Sequence, residues 1–198
     1  KVQNNINLLN YSTIKIGGYT EFFAEPKSIA ELIEHLRWVK LNNLKCRFIG
    51  AGSNLLIRNA LHNGLTICTR KLRKIKINRL SGVLEAECGV MLPVAANLLA
   101  HNGCEGGEWL IGIPGTIGGA VFMNAGSGEF WISKYLLSVQ VVDTQNLKVY
   151  KLNKEQLIFN YRFSSFQTNK FAILSANFMF KPKRLSLIHI SEPTRPDE

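Results

Sequence analysis

The chain has 198 residues, 46% hydrophobic and 19% charged, a balance that excludes wholesale disorder and allows one substantial core or two small ones. Its net charge of +10 comes partly from Arg70, Lys71, Arg73, Lys74, Lys76 and Arg79, a run that reads first as a solvated basic face and second as a patch for phosphate-bearing partners. No apolar run reaches the ~20 residues that a bilayer crossing needs, and no helix-turn-helix or paired-cysteine finger accompanies the charge.

After a polar N-terminal arm, Thr13 to Gly18 is expected as a short strand ending in a glycine turn, and Glu21 to Ala24 as a second strand. Ser28 caps a helix with Glu31 three residues on, and Ile29, Leu32, Ile33, Leu36 and Val39 keep one apolar face. Leu44 to Ile49, Gly64 to Thr69 and Lys74 to Ile77 read as strands that complete a small α/β unit over residues 1–77. A second unit, 78–183, opens with the strand Val83 to Cys88. A helix follows over about Leu92 to Asn102, with Pro93 in its first turn. Leu136 to Asp143 and Leu147 to Leu152 form a strand pair around a polar turn, and Ala172 to Phe180 a closing strand.

The four cysteines, Cys46, Cys68, Cys88 and Cys104, fit no C-x-x-C spacing and read as free thiols packed as small hydrophobes. The four histidines, His35, His62, His101 and His189, offer no ligand spacing, so no metal is predicted. Free cysteines without a secretory signal at the start point to the cytoplasm. Glu105 and Glu108, beside Gly106 and Gly107, read as helix-end solvation rather than an acid–base pair.

Two glycine-rich segments carry the chemistry. Gly50, Ala51, Gly52, Ser53, Asn54 and Leu55 follow the predicted strand, and Gly112, Pro114, Gly115, Thr116, Gly118, Gly119 and Asn124 belong to a longer run. Glycine allows positive φ and removes the side chain, so the main chain can approach a pyrophosphate closely and aim its N–H groups at it. The G-x-G-x-x-G dinucleotide pattern fails at Leu55, and neither segment holds the Gly-Lys-Ser/Thr triplet of a P-loop.

GAGSNLL at 50–56, GIPGTIGGAVFMNAG at 112–126 and NYRFSSF at 160–166 closely resemble, in order and spacing, the UDP-N-acetylenolpyruvoylglucosamine reductase family of peptidoglycan synthesis. The resemblance covers residues 5 to about 182. It implies an α+β, two-subdomain FAD-binding fold of the vanillyl-alcohol-oxidase (PCMH) type, with the flavin pyrophosphate between the two glycine segments. Members of that family have a third, substrate-binding domain with no counterpart in this sequence. The implied reaction is reduction of UDP-N-acetylglucosamine enolpyruvate to UDP-N-acetylmuramate, with hydride from NADPH passing through FAD.

Arg162 matches the family's active-site arginine, implied to hold the substrate carboxylate, and Tyr161 reads equally as a substrate contact beside it and as a packed aromatic. From its own surroundings in the sequence, Arg162 reads as an ordinary surface arginine. The family's proton-donor serine and its glutamate find no match here, so the chain is expected to be a truncated, flavin-binding portion that is inactive alone. The loop after Asn124, Ala125 and Gly126 also departs from the family, with Ser127 to Trp131 intervening. Residues 184–198, RLSLIHISEPTRPDE, match nothing in the family and are expected to be a non-native, disordered tail. Two alternatives stay open: another FAD-dependent oxidase of the same fold, and a non-catalytic basic module that binds nucleic acid. Oligomeric state is not readable from the sequence.

Overall fold

The computed structural model describes residues 1–168 and 170–183; the tail over 184–198 lies outside the described residues. The polar N-terminal arm is a strand, β1 (Val2–Asn7), antiparallel to β2 (Tyr19–Ala24). It borders its sheet, so its polar side chains stay in water and no apolar alternation announces it. Residues 13–18, expected as a strand, instead turn: Lys15 takes φ +58° and its amide donates to Ser12 O at 3.2 Å.

Helix α1 (Ile29–Leu41) starts at Ser28, whose hydroxyl accepts from Glu31 N at 3.2 Å. The Glu31 carboxylate reaches Lys27 N rather than Ser28 N, which shifts the expected capping box by one residue. Leu32, His35, Leu36 and Val39 are its buried face. β3 (Cys46–Ile49) and β2 both run parallel to β4 (His62–Cys68), giving the order β1-β2-β4-β3. β4 is central, so its run from Gly64 to Cys68 is buried throughout.

The strand β5 (Ile75–Asn78), which the sequence reading puts in the first unit, pairs antiparallel with β6 (Val83–Glu87) in the second sheet. The two make a hairpin whose turn is held by Asn78 Oδ1, which accepts from the amides of Leu80 and Ser81. Beyond it come α2 (Leu92–His101), the short β7 (Cys104–Glu105) and α3 (Ile117–Met123). α3 occupies part of the run expected as one long loop. β8 (Gly126–Ser127) pairs with β9 (Phe130–Trp131), and α4 (Ile132–Tyr135) leads into β10 (Leu136–Asp143) and β11 (Val149–Asn153). The small hairpin of β12 (Phe159–Asn160) and β13 (Phe163–Ser164) precedes β14 (Phe171–Met179) and β15 (Lys181–Pro182), which pairs with β7.

The second sheet has the order β11-β10-β14-β6-β5. One core cluster fills the space between this sheet and α2 and α3, with Leu84, Leu99, Val121, Val139, Val141 and Phe178 among its members. A second joins α1 and β4 to the other side of the molecule, packing Leu36 and Leu65 with Val142, Ala172 and Leu174. A bulge lets β14 serve both. Ser175 pairs with Gln140 and Ile173 with Val141, so Leu174 is the extra residue. Ala172 and Leu174 join the cluster under α1, whereas Ala176 and Phe178 join the cluster under α2. The sheets thus share buried contacts and leave a cleft along the free edge of β3.

Candidate functional site

The first glycine segment leaves β3 at Ile49 and bends back. Gly52 takes φ +71°, and a Cβ there would lie 1.9 Å from Tyr11 O, so only glycine fits. Arg70, at the turn after β4, donates from Nε to Gly50 O at 3.1 Å and from Nη2 to Tyr11 O at 3.2 Å and to Ala51 O. Thr13 N donates to Gly52 O at 3.1 Å. Part of the basic run is therefore structural: Lys71 and Lys76 also pair with Glu25 at 2.9 Å and Glu85 at 3.1 Å.

The second segment faces the first. A Cβ on Gly50 would meet Thr116 Oγ1 at 2.5 Å, and Ser53 Oγ donates to Pro114 O at 3.1 Å. Thr116 caps α3, its hydroxyl accepting from Gly119 N at 3.4 Å. Its amides are not all free for an anion, as a glycine-rich loop alone suggests. Ile117 N donates to Val90 O and Gly118 N to Cys88 O, each at 2.8 Å. Gly118 is a packing residue, because a Cβ there would sit 2.8 Å from Cys88 Cβ; at Gly119 it would meet only Thr116 Oγ1, at 3.6 Å.

Between the segments lies a cleft of about 1430 Å³ whose lining includes Val39, Lys40 and Phe48 as well as Gly126, Ser127 and Arg162. Among the described residues its charged lining is Lys40, Arg47 and Arg162, without a carboxylate, so it favours an anion. Burial pushes the thiols of Cys46 and Cys88 up to about 12, so both line the wall as neutral, unreactive groups.

Arg162 sits at the tip of the β12–β13 hairpin with φ +53°, a conformation that usually calls for Gly or Asn. Its guanidinium lies 5.9 Å from the ring centres of both Trp131 and Tyr161, whose rings meet edge-on at 5.6 Å. Three bonds fasten the hairpin and the turn after it to the neighbourhood of α3: Asn124 Nδ2 to Asn160 O at 2.9 Å, Ser164 Oγ to Phe122 O at 2.6 Å and Gln167 Nε2 to Phe122 O at 3.3 Å; Gln167 Nε2 also donates to Arg162 O at 3.2 Å.

The structure brings Gly50, Ala51, Gly52, Ser53, Asn54, Leu55, Gly112, Pro114, Gly115, Thr116, Gly118, Gly119 and Arg162 into the lining of one cleft. Asn124 and Tyr161 are not in that lining: Asn124 ties α3 to the hairpin, and Tyr161 stands largely in solvent against Trp131. Sequence reasoning misses Arg70, whose carbonyl partners lie 19, 20 and 59 residues away, and the cleft residues Phe48, Phe122, Thr144 and Gln145.

A family model described as an FAD binding domain matches residues 20–153, about two thirds of the chain. The chain belongs to that FAD-binding family. Its residues fit the cofactor: a cleft without carboxylates, lined by two glycine segments that approach so closely that a Cβ on Gly50 would meet Thr116 Oγ1 at 2.5 Å. A UDP-N-acetylenolpyruvoylglucosamine reductase of Prochlorococcus marinus subsp. pastoris is 53% identical over 181 residues, covering 91% of this chain and 61% of the relative. One from Synechococcus sp. strain CC9605 is 38% identical, over 97% of this chain and 66% of the relative. The solved reductase of Thermus caldophilus superposes with TM-score 0.76 at 26% identity, over 92% of this chain and 63% of that one. The 6-hydroxy-D-nicotine oxidase of Arthrobacter nicotinovorans, at 14% identity and TM-score 0.69, shares the fold. The FAD-binding chain spans about three fifths of the length of the curated relatives it matches. Among the described residues no helix is long and apolar enough to cross a membrane.

Proposed function

We propose that the chain is the flavin-binding portion of a UDP-N-acetylenolpyruvoylglucosamine reductase, which reduces UDP-N-acetylglucosamine enolpyruvate to UDP-N-acetylmuramate with NADPH in cell-wall synthesis. The 53% identity to a reductase of that name supports the reading, and the observation that carries it is Arg162, held in a left-handed turn in the cleft's lining. Bound FAD would accept hydride from NADPH and deliver it to the substrate's enolpyruvyl double bond.

The chain's own residues bind and orient. Gly50 to Asn54 and Gly115 to Thr116 would cradle the diphosphate of the cofactor, with Ser53 tying the two segments together. Arg162 would hold the substrate carboxylate with its planar fork and stabilise the negative charge that develops there as the double bond is reduced. The faces of Trp131 and Tyr161 restrict where that guanidinium can lie, so less order is lost when substrate arrives.

In the complete reductase, Arg162→Met should lower kcat/KM by roughly 100- to 1000-fold while FAD content stays unchanged. Unchanged turnover in that variant overturns the role of Arg162. Rapid reaction of the reduced flavin with oxygen, without reduction of the enolpyruvyl substrate, would instead make the chain part of an oxidase of the same fold.

A further inference from the structure

We propose that Arg70 is a positioning residue for the cofactor's diphosphate, acting through the peptide planes of the first glycine segment; this rests on the assignment of the cleft to FAD. A trans peptide points its C=O and the following N–H in opposite directions. Arg70 holds the carbonyls of Gly50 and Ala51, and Thr13 N holds the carbonyl of Gly52. The amides of Ala51, Gly52 and Ser53 must then all point the other way. That other way is the cleft, because Ala51, Gly52 and Ser53 line it whereas Arg70, Tyr11 and Thr13 do not. Among the described residues no acceptor takes those amides.

Arg70 is itself braced. Its guanidinium lies 5.6 Å from the Tyr11 ring centre and its third bond goes to Tyr11 O, the same oxygen that excludes a side chain at Gly52. Arg73 Nε donates to Arg70 O at 2.7 Å. A lysine would keep the charge but not the fork: one ammonium cannot span the carbonyls of Gly50, Ala51 and Tyr11 with the same geometry. The residue would therefore act by aiming the amides of Ala51 and Gly52 at an anion it does not touch, while Thr13 N aims that of Ser53.

The test is a titration of the unsubstituted chain, Arg70→Lys and Arg70→Gln with FAD, with ADP and with riboflavin, which lacks the diphosphate. Both variants are expected to lose roughly 10- to 100-fold in affinity for FAD and ADP, with riboflavin binding unchanged. FAD affinity within twofold of the unsubstituted chain, or an equal loss for riboflavin, overturns the proposal. If the variants do not fold, amide spectra of the unsubstituted chain titrated with ADP decide the matter. The Ala51, Gly52 and Ser53 amides should move, and their staying fixed at saturation overturns it. A chain that binds no FAD overturns the cofactor assignment together with the proposal, whereas FAD binding that ignores Arg70 overturns the proposal alone.

Discussion

Asn124 ends α3 in the left-handed conformation, with φ +44°, and its Nδ2 donates to Asn160 O at 2.9 Å, so the helix that follows the second glycine segment is fastened to the hairpin carrying Arg162. The two roles can be separated. Asn124→Gly keeps the backbone conformation and deletes that bond together with the weaker one its Oδ1 accepts from Ser133 N at 3.4 Å, which should cost about 1 kcal/mol in denaturant unfolding. Asn124→Ala also strains the backbone and should cost about twice that. FAD affinity should stay within about twofold in the glycine variant, because Asn124 lies behind the cleft wall. A tenfold loss would mean that Asn124 touches the cofactor directly, as the sequence pattern suggests.

Gly118 and Gly119 are neighbours with opposite consequences. Alanine at 118 would drive its Cβ to 2.8 Å from Cys88 Cβ and 3.0 Å from Cys88 O, so Gly118→Ala should lower Tm by several degrees even without ligand. Alanine at 119 meets only ordinary contact, and in the helix it should stabilise the unliganded chain by a few tenths of a kcal/mol to ~1 kcal/mol. Gly119 lines the cleft, so the same methyl should weaken FAD. Thermal melts with and without FAD separate the cases; equal behaviour of the two variants would defeat this distinction.

Much of the fold is written in apolar spacing. The face of α1 at Leu32, Leu36 and Val39, the capped start at Ser28, and the strands over Leu136–Asp143 and 171–179 all follow from patterns that the buried residues repeat. β1 is invisible because an edge strand with a wet face needs no alternation. α3 is hidden because Ile117, Gly118 and Gly119 make a poor helix by propensity; Thr116 and the Val90 and Cys88 carbonyls impose it. At the site, glycine density marks both segments, since positive φ and close approach leave a residue-level trace. The acceptors of Arg70 leave none, because a hydrogen bond to a distant backbone carbonyl places no demand on the sequence that supplies it.

Asp143 closes the β10–β11 turn and shapes the cleft from a distance. Its Oδ1 accepts from Gln145 N at 2.8 Å and Asn146 N at 3.0 Å, and the adjoining Thr144 and Gln145 line the cleft. The Asn146 amide first, then Gln145 and the Lys170 and Lys40 ammonium groups, hold its carboxyl below the usual carboxylate range. A folded-state value below the unfolded one gives stability that is present above the unfolded value of about 3.9 and disappears as pH falls through the folded value. Asp143→Ala should thus melt lower than the unsubstituted chain at pH 7, with the gap closing toward pH 3. A gap that stays constant with pH would assign the loss to packing.

Arg162 occupies a backbone conformation that disfavours any residue with a branched or long side chain, at a cost on the order of 1 kcal/mol. Its stacking against Trp131 and Tyr161 returns roughly 0.5–1 kcal/mol at such an exposed place. The two nearly cancel, so stability gives no reason for arginine at this turn. Asparagine tolerates the left-handed region and forgoes the stacking; Arg162→Asn should therefore leave Tm within about 2 °C and the flavin spectrum intact. Reduction of the enolpyruvyl substrate by the complete enzyme should collapse in the same variant. A loss of more than about 5 °C would make Arg162 an anchor of the hairpin and its charge incidental. Retained stability with lost turnover would leave only the guanidinium's chemistry to explain why the strain is tolerated.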